Sequence, residues 1–190
     1  EIGGKWYYFR PDGNMRVGWE QINGYWYYFG SDGSMQTGWQ EVGGIWYYFR
    51  PDGNMKTGWE EINGYWYYFN GDGVMQTGWQ EIGGVWYYFR PDGNMRIGWE
   101  EINGYWYYFG SNGAMQTGWQ ELGGTWYYFR TDGNMKVGWE EIDGKWYYFA
   151  TDGVLETNKV VGDWYVNNDG VGNQIVTEGV YGKSCLLYTS

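Results

Sequence analysis

The sequence predicts an all-β protein, a solenoid of stacked β-hairpins with one hairpin per twenty residues. Three observations predict it. A Trp-Tyr-Tyr-Phe run begins at Trp6 and recurs every twenty residues as far as Trp146. A Gly-Trp pair recurs at the same interval, ending on Trp19, Trp39, Trp59, Trp79, Trp99, Trp119 and Trp139. Between them stands a turn signal such as Pro51-Asp52-Gly53-Asn54. A fixed period of this length marks a repeat array, in which each unit buries its apolar face on its neighbours.

Within one unit, Trp46-Tyr47-Tyr48-Phe49 is aromatic, strand-favouring sequence. In the loop that follows, Pro51 suits the first central position of a type I turn. Asp52 suits the second, and Gly53 the left-handed residue after it. The return strand is Met55–Trp59. Closing the loop at Arg50 and Asn54 sets Phe49 opposite Met55, Tyr48 opposite Lys56, Tyr47 opposite Thr57 and Trp46 opposite Gly58. Strand alternation then sends Tyr47, Phe49, Met55 and Thr57 inward and leaves Trp46, Tyr48, Lys56 and Gly58 outside. Composition at equivalent positions agrees. The Thr57 position reads Val17, Ile97 or Val137 elsewhere, and the Lys56 position is long and polar throughout. Glu60-Glu61 falls in a linker between hairpins.

A lone hairpin is marginally stable in water, so the hairpins must stack, and no single globular core is expected. A forty-residue super-period overlies the repeat: Arg16, Lys56, Arg96 and Lys136 alternate with Gln36, Gln76 and Gln116. The array covers residues 1–155. Residues 156–182, with Trp164-Tyr165-Val166 and Asp169-Gly170, read as a degenerate capping repeat. Residues 183–190, including Cys185, match nothing upstream and are set aside as a non-native tail. Glu1–Gly4 repeats Glu81–Gly84, so the chain starts mid-unit and is expected to be a fragment of a longer, secreted protein.

Several function classes are excluded by composition. With no His and one Cys among 190 residues, neither a Ser-His-Asp nor a Cys-His nucleophile can be built, and Cys/His metal sites are absent. Asp52-Gly53-Asn54 lacks the alternating acidic ligands of a calcium loop. Adjacent Glu60 and Glu61 on an extended segment point apart and make no catalytic pair. No enzyme, cofactor or metal is expected. A net charge of -11 disfavours nucleic acid and anionic membrane, and no apolar run reaches transmembrane length. The chain is unusually rich in aromatic residues, with 16 Trp and 22 Tyr, and those on the polar side of the hairpin, Trp46 and Tyr48, are the ones placed to meet a ligand.

The aromatic run, the Asp-Gly turn and the Gly-Trp pair, in that order over residues 1 to about 155, resemble the cell-wall-binding repeat family. This family comprises the choline-binding modules of Gram-positive surface proteins and lysins, with relatives in glucan-binding and clostridial toxin repeats. The resemblance implies a left-handed superhelix of hairpins. It also implies choline held between consecutive hairpins by two Trp from one and a Tyr from the next, with a Met nearby. Carried onto this sequence, the first such site is Trp19, Trp26 and Tyr48 with Met55, and the second Trp39, Trp46 and Tyr68 with Met75. Trp59, Trp66, Tyr88 and Met95 make the third, and Trp79, Trp86, Tyr108 and Met115 the fourth. Trp99, Trp106, Tyr128 and Met135 follow, and Trp119, Trp126 and Tyr148 complete the six. The choice of the second Tyr of each run rests on the face assignment above. A seventh pair, Trp139 and Trp146, has Val166 where its Tyr is expected.

The function implied is a non-catalytic module that docks a secreted, cell-wall-associated protein on the choline or phosphocholine of teichoic acid. Two alternatives stand beside it: a glucan-binding domain in which Gln76 and Gln80 bond sugar hydroxyls, and a structural, adhesive stalk. The super-period adds an expectation, that Lys56 and its basic equivalents lie at the rim of alternate sites and favour phosphocholine there.

Overall fold

The structure, a computed structural model, describes residues 1–177 and 186–187. It is all-β, as the period predicts. Among the described residues the first repeat, around Trp6, shows only isolated bridges of Ile2 with Lys5 and Phe9 with Met15, while the next seven repeats each give one antiparallel hairpin. In sequence order these are β1 (Gly18–Ile22) with β2 (Tyr25–Phe29), β3 (Gly38–Val42) with β4 (Ile45–Phe49), and β5 (Gly58–Ile62) with β6 (Tyr65–Phe69). Then come β7 (Gly78–Ile82) with β8 (Val85–Phe89), and β9 (Gly98–Ile102) with β10 (Tyr105–Phe109). The last two are β11 (Gly118–Leu122) with β12 (Thr125–Phe129), and β13 (Gly138–Ile142) with β14 (Lys145–Phe149). The chain divides into two compact units, residues 1–96 and 97–190, each treated by itself below.

The paired strands are not the ones the Asp-Gly turn predicts. Each hairpin closes at a two-residue turn, Gly43-Gly44 in one repeat and Asn63-Gly64 in the next, with both residues at positive φ. That is the backbone of a type I′ turn, whose twist matches the strands it joins. Glu60 and Glu61 therefore lie inside β5, opposite Tyr67 and Trp66, and not in a linker. The Arg50–Asn54 loop does close as expected: Arg50 N–H donates to the Asn54 carbonyl at 2.9 Å, and Gly53, at φ 83°, donates to Arg50 at 2.8 Å. Phe49 bridges Met55, and Lys56 N–H donates to Tyr48 at 2.8 Å. Pairing ends there, and Trp46 and Tyr47 pair instead with Glu41 and Gln40.

This correction moves two side chains. Gly58, at φ 70°, turns the chain between the Asp-Gly loop and β5, so the alternation counted from Met55 is broken. Thr57 and its apolar counterparts Val17, Ile97 and Val137 end up exposed, whereas Lys56 is 8% exposed. The expected inward and outward roles of these two positions are reversed. Phe49 keeps its inward role and is fully buried.

Stacking within each unit is carried by rings and one backbone bond per step. Phe49 packs against Trp19 and Tyr28 of the preceding hairpin, with centroids at 5.7 and 6.4 Å. Met55 N–H donates to the carbonyl of Trp26 at 2.8 Å, and Met75 likewise to Trp46 at 2.9 Å. In the second unit Met135 and Leu155 repeat this bond to Trp106 and Trp126. The Met55 side chain lies against Gly73, where a β-carbon would overlap its sulfur. Glycine at that turn meets both its positive φ and this close approach.

Residues 156–177 build the end of the second unit. β15 (Lys159–Val161), β16 (Trp164–Val166) and β17 (Val171–Gln174) join β13 and β14 in a five-stranded sheet, through pairing of β17 with β14. Val176–Thr177 pairs with Leu186–Leu187; the rest of the segment expected to be a non-native tail lies outside the described residues.

Candidate functional site

Strand register decides which rings can meet. On one face of the β3–β4 hairpin, Trp39 stands opposite Tyr48, and Trp46 opposite Glu41. On the other face Phe49 stands opposite Gly38, and Tyr47 opposite Gln40. Each hairpin thus offers its two Trp to one neighbour and its first Tyr to the other. Trp19 and Trp26 meet edge to face at 6.3 Å and 83°, and Tyr47 of the next hairpin closes on Trp19 at 4.8 Å. The arrangement repeats as Trp39, Trp46 and Tyr67, with separations of 6.3 and 4.8 Å. Trp59 meets Trp66 at 6.3 Å and Tyr87 at 4.9 Å. In the second unit the sets are Trp99, Trp106 and Tyr127, and Trp119, Trp126 and Tyr147.

The structure brings Trp19 and Trp26 together with Met55, and Trp39 and Trp46 with Met75, and the tyrosine that closes on each first Trp is the first of its run, not the second. Tyr48, Tyr68, Tyr88, Tyr108, Tyr128 and Tyr148 each lie against the first Trp of their own hairpin, at 5.1 to 5.3 Å. Sharing a face with their own Trp pair, they cannot reach the pair of the hairpin before. Tyr48 also packs on Phe69 at 6.4 Å, which makes it part of the stack. The fourth predicted set, Trp79, Trp86, Tyr108 and Met115, has members in both units; within the first, Trp79 meets Trp86 at 6.3 Å.

These groups line open cavities. One of about 410 Å³ is bounded by Trp39, Trp46, Tyr67, Met75, Pro91 and Asp92. Another of about 400 Å³ is bounded by Trp19, Trp26, Tyr47, Met55, Gly71 and Asp72. A third of about 520 Å³ is bounded by Trp119, Trp126, Tyr147, Leu155, Thr157, Asn168 and Asp169. Three successive repeats therefore contribute to each: a Trp pair, then a Tyr, then a turn. Trp46 remains 42% exposed, so its ring face is open to a ligand. Burial, and after it the charge of Asp92, pushes the Tyr67 hydroxyl above its ordinary range.

The basic residues of the super-period do not form a rim. Lys56 Nζ pairs with Glu60 at 2.7 Å, and Arg50 reaches the same carboxylate at 3.6 Å. Lys136, Glu140 and Arg130 repeat the triad at 2.7 and 3.2 Å. Arg16 pairs with Glu20 and also donates to the Trp19 carbonyl at 2.6 Å. These side chains tie each loop to its hairpin. The seventh Trp pair also differs from its sequence reading: Trp164 packs against both Trp139 and Trp146, at 5.4 and 6.3 Å. Gly172 lies so near Trp139 that a β-carbon would stand 2.7 Å from its ring. Among the described residues no group of three or more His, Cys, Asp or Glu is placed to hold a metal ion.

Hairpins stacked so that two Trp, one Tyr and one Met surround an open cavity define a repeat module for ligand binding. The choline-binding repeat family model matches residues 16–57, 56–97 and 96–138, and a cell wall binding repeat model matches 1–15 and 137–155. The chain belongs to the choline-binding repeat family. Among solved structures it is similar to CbpJ of Streptococcus pneumoniae, at 38% identity and a TM-score of 0.84 over 87% of this chain and 61% of that one. Choline-binding protein F of the same organism, solved in the presence of a peptidoglycan analogue, matches at 40% identity and a TM-score of 0.82. That match covers 88% of this chain and 61% of the relative, so this chain spans about three-fifths of the length of both. The choline-binding domain of CbpL matches at 32% identity and a TM-score of 0.64, over 83% of this chain and 86% of that domain. A comparison with curated proteins found no match.

Proposed function

We propose that the chain is a non-catalytic module that binds choline in the cages between consecutive hairpins. Through them it docks the protein that carries it on choline-bearing teichoic acid at a Gram-positive cell surface. The observation that carries this reading is the recurring cage of Trp, Trp and first Tyr around an open cavity, as in Trp39, Trp46 and Tyr67. A quaternary ammonium has no N–H to donate, so ring faces are its natural partners, each worth about 0.5–2 kcal/mol. Trp and Tyr rings packed edge to face, with centroids 4.8 to 5.0 Å apart, keep the cage formed before a ligand arrives, which lowers the ordering cost of binding. A relative, choline-binding protein F, has been solved in complex with ipratropium, whose cationic centre is also a quaternary ammonium. Several weak cages on one chain bind a polymer far more tightly than any single one binds its monomer.

Thermal unfolding in the presence of choline or of dextran tests the reading. Choline is expected to raise the midpoint in a concentration-dependent way while dextran leaves it in place. The reverse order of effects overturns it.

A further inference from the structure

We propose that Asp72 and Asp169 are ligand-facing carboxylates that give two of the cages a selectivity for positive charge which the rings alone do not provide. The inference rests on the cage reading above and adds a residue to it. Both residues come from the Asp-Gly turn two repeats beyond the Trp pair, and both line a cavity: Asp72 with Trp19, Trp26 and Tyr47, Asp169 with Trp119, Trp126 and Tyr147.

The turn sequence explains why these two carboxylates are available. In most repeats the Asp is the acceptor that holds its own turn. Asp52 takes the Asn54 backbone N–H and Nδ2 at 3.0 and 2.9 Å, Asp92 is held by Asn94 at 3.1 and 3.0 Å, and Asp152 takes the Val154 N–H. Those turns open on Arg50, Arg90 and Ala150, which bring no side-chain acceptor. The turns of Asp72 and Asp169 open on Asn70 and Asn167. There Asn70 Oδ1 accepts from both Asp72 N–H and Val74 N–H, at 3.0 and 2.9 Å. Asn167 Oδ1 does the same for Asp169 and Val171, at 3.0 and 2.8 Å. With the turn held by the asparagine, the carboxylates of Asp72 and Asp169 accept no hydrogen bond and form no ion pair among the described residues. Each is exposed at the mouth of an aromatic cavity with its charge uncommitted. A cation in the cage supplies the missing partner, and a neutral molecule of the same shape does not.

The test is site-resolved: indole N–H signals of Trp19 and Trp26 are followed by nuclear magnetic resonance at low salt. The chain is titrated with choline and with its neutral isostere, 3,3-dimethyl-1-butanol. A single full charge a few ångströms away in water changes cation affinity about fourfold. Asp72→Asn is therefore expected to weaken choline at this cage about fourfold and to leave the isostere unchanged. Glu81→Gln removes a carboxylate elsewhere in the same unit and is expected to do nothing at Trp19 and Trp26. An unchanged choline affinity in folded Asp72→Asn, or an equal loss for both ligands, overturns the role of the carboxylate while leaving the cage intact. Absence of any choline response at either indole in the unaltered chain overturns the cage reading and this inference with it.

Discussion

Replacing Tyr47 and Tyr48 separately by Leu distinguishes the cage from the stack that supports it. The two residues are neighbours in β4, yet the pleat sends them to opposite faces. Tyr47 reaches back to Trp19 at 4.8 Å and walls the cavity of Trp19 and Trp26. Its removal takes one of three rings from a bound ammonium, about 0.5–2 kcal/mol, or about a 2- to 30-fold loss in affinity at that site. Tyr48 touches Trp39 at 5.2 Å and Phe69 at 6.4 Å and lines neither of the neighbouring cavities. Losing two such ring pairs costs about 1–3 kcal/mol of stability. Calorimetric titration with choline and thermal unfolding are run on both variants. Tyr47→Leu is expected to weaken one site by that factor with a modest change in the unfolding midpoint. Tyr48→Leu is expected to lower the midpoint and keep every site. If Tyr48→Leu weakens a site at undiminished stability while Tyr47→Leu weakens none, the face assignment is wrong.

Trp119→Ala should remove one choline site, whereas Trp139→Ala, whose partner position is already filled by Trp164, should leave the stoichiometry unchanged while lowering stability by about 3–5 kcal/mol; calorimetry and denaturant unfolding read the two effects. Gly73→Ala places a β-carbon on the Met55 sulfur at a positive φ and is expected to destabilise by about 2–4 kcal/mol, measured by chemical unfolding. Acid should also weaken the loop triads. Burial pushes the Glu140 carboxyl up, but hydrogen bonds from Lys136 and Arg130 and their charges outweigh it, so the group sits below its ordinary 4.5. Its contribution is then complete above pH 4.5 and fades as pH falls through the lower folded value, and Lys136→Gln is expected to flatten that acid limb of the stability profile.

The period, the one-hairpin-per-repeat architecture and the Asp-Gly loop are legible because each is local chemistry repeated many times. Phe49 is legible as core for the same reason: any closure of Arg50 on Asn54 sets it beside Met55. The strand pairing departs from the one the Asp-Gly loop predicts for one physical reason. Asn63-Gly64 between Ile62 and Tyr65 is a strong two-residue hairpin signal, and it outranks the longer Asp-Gly loop in deciding which strands pair. Once β5 pairs with β6 through that turn, Gly58 breaks the alternation, Lys56 is drawn under the loop toward Glu60, and Thr57 is left outside. Alternation sorts Trp46 with Tyr48 and Tyr47 with Phe49 in the sequence and in the structure alike, and stacking decides what each face meets. A site between stacked hairpins draws on both faces, so the Tyr that meets the Trp pair of one hairpin must come from the other face of the next. The role of Trp164 depends on how β17 adds to β14, a long-range pairing with no local signal.

A crystal structure of the chain with choline tests the central claim most directly. The trimethylammonium group is expected between Trp39, Trp46 and Tyr67, within about 6 Å of all three ring centroids and in contact with Met75. Choline bound beside Tyr68 instead, or cages that stay empty at a saturating concentration, would contradict the account.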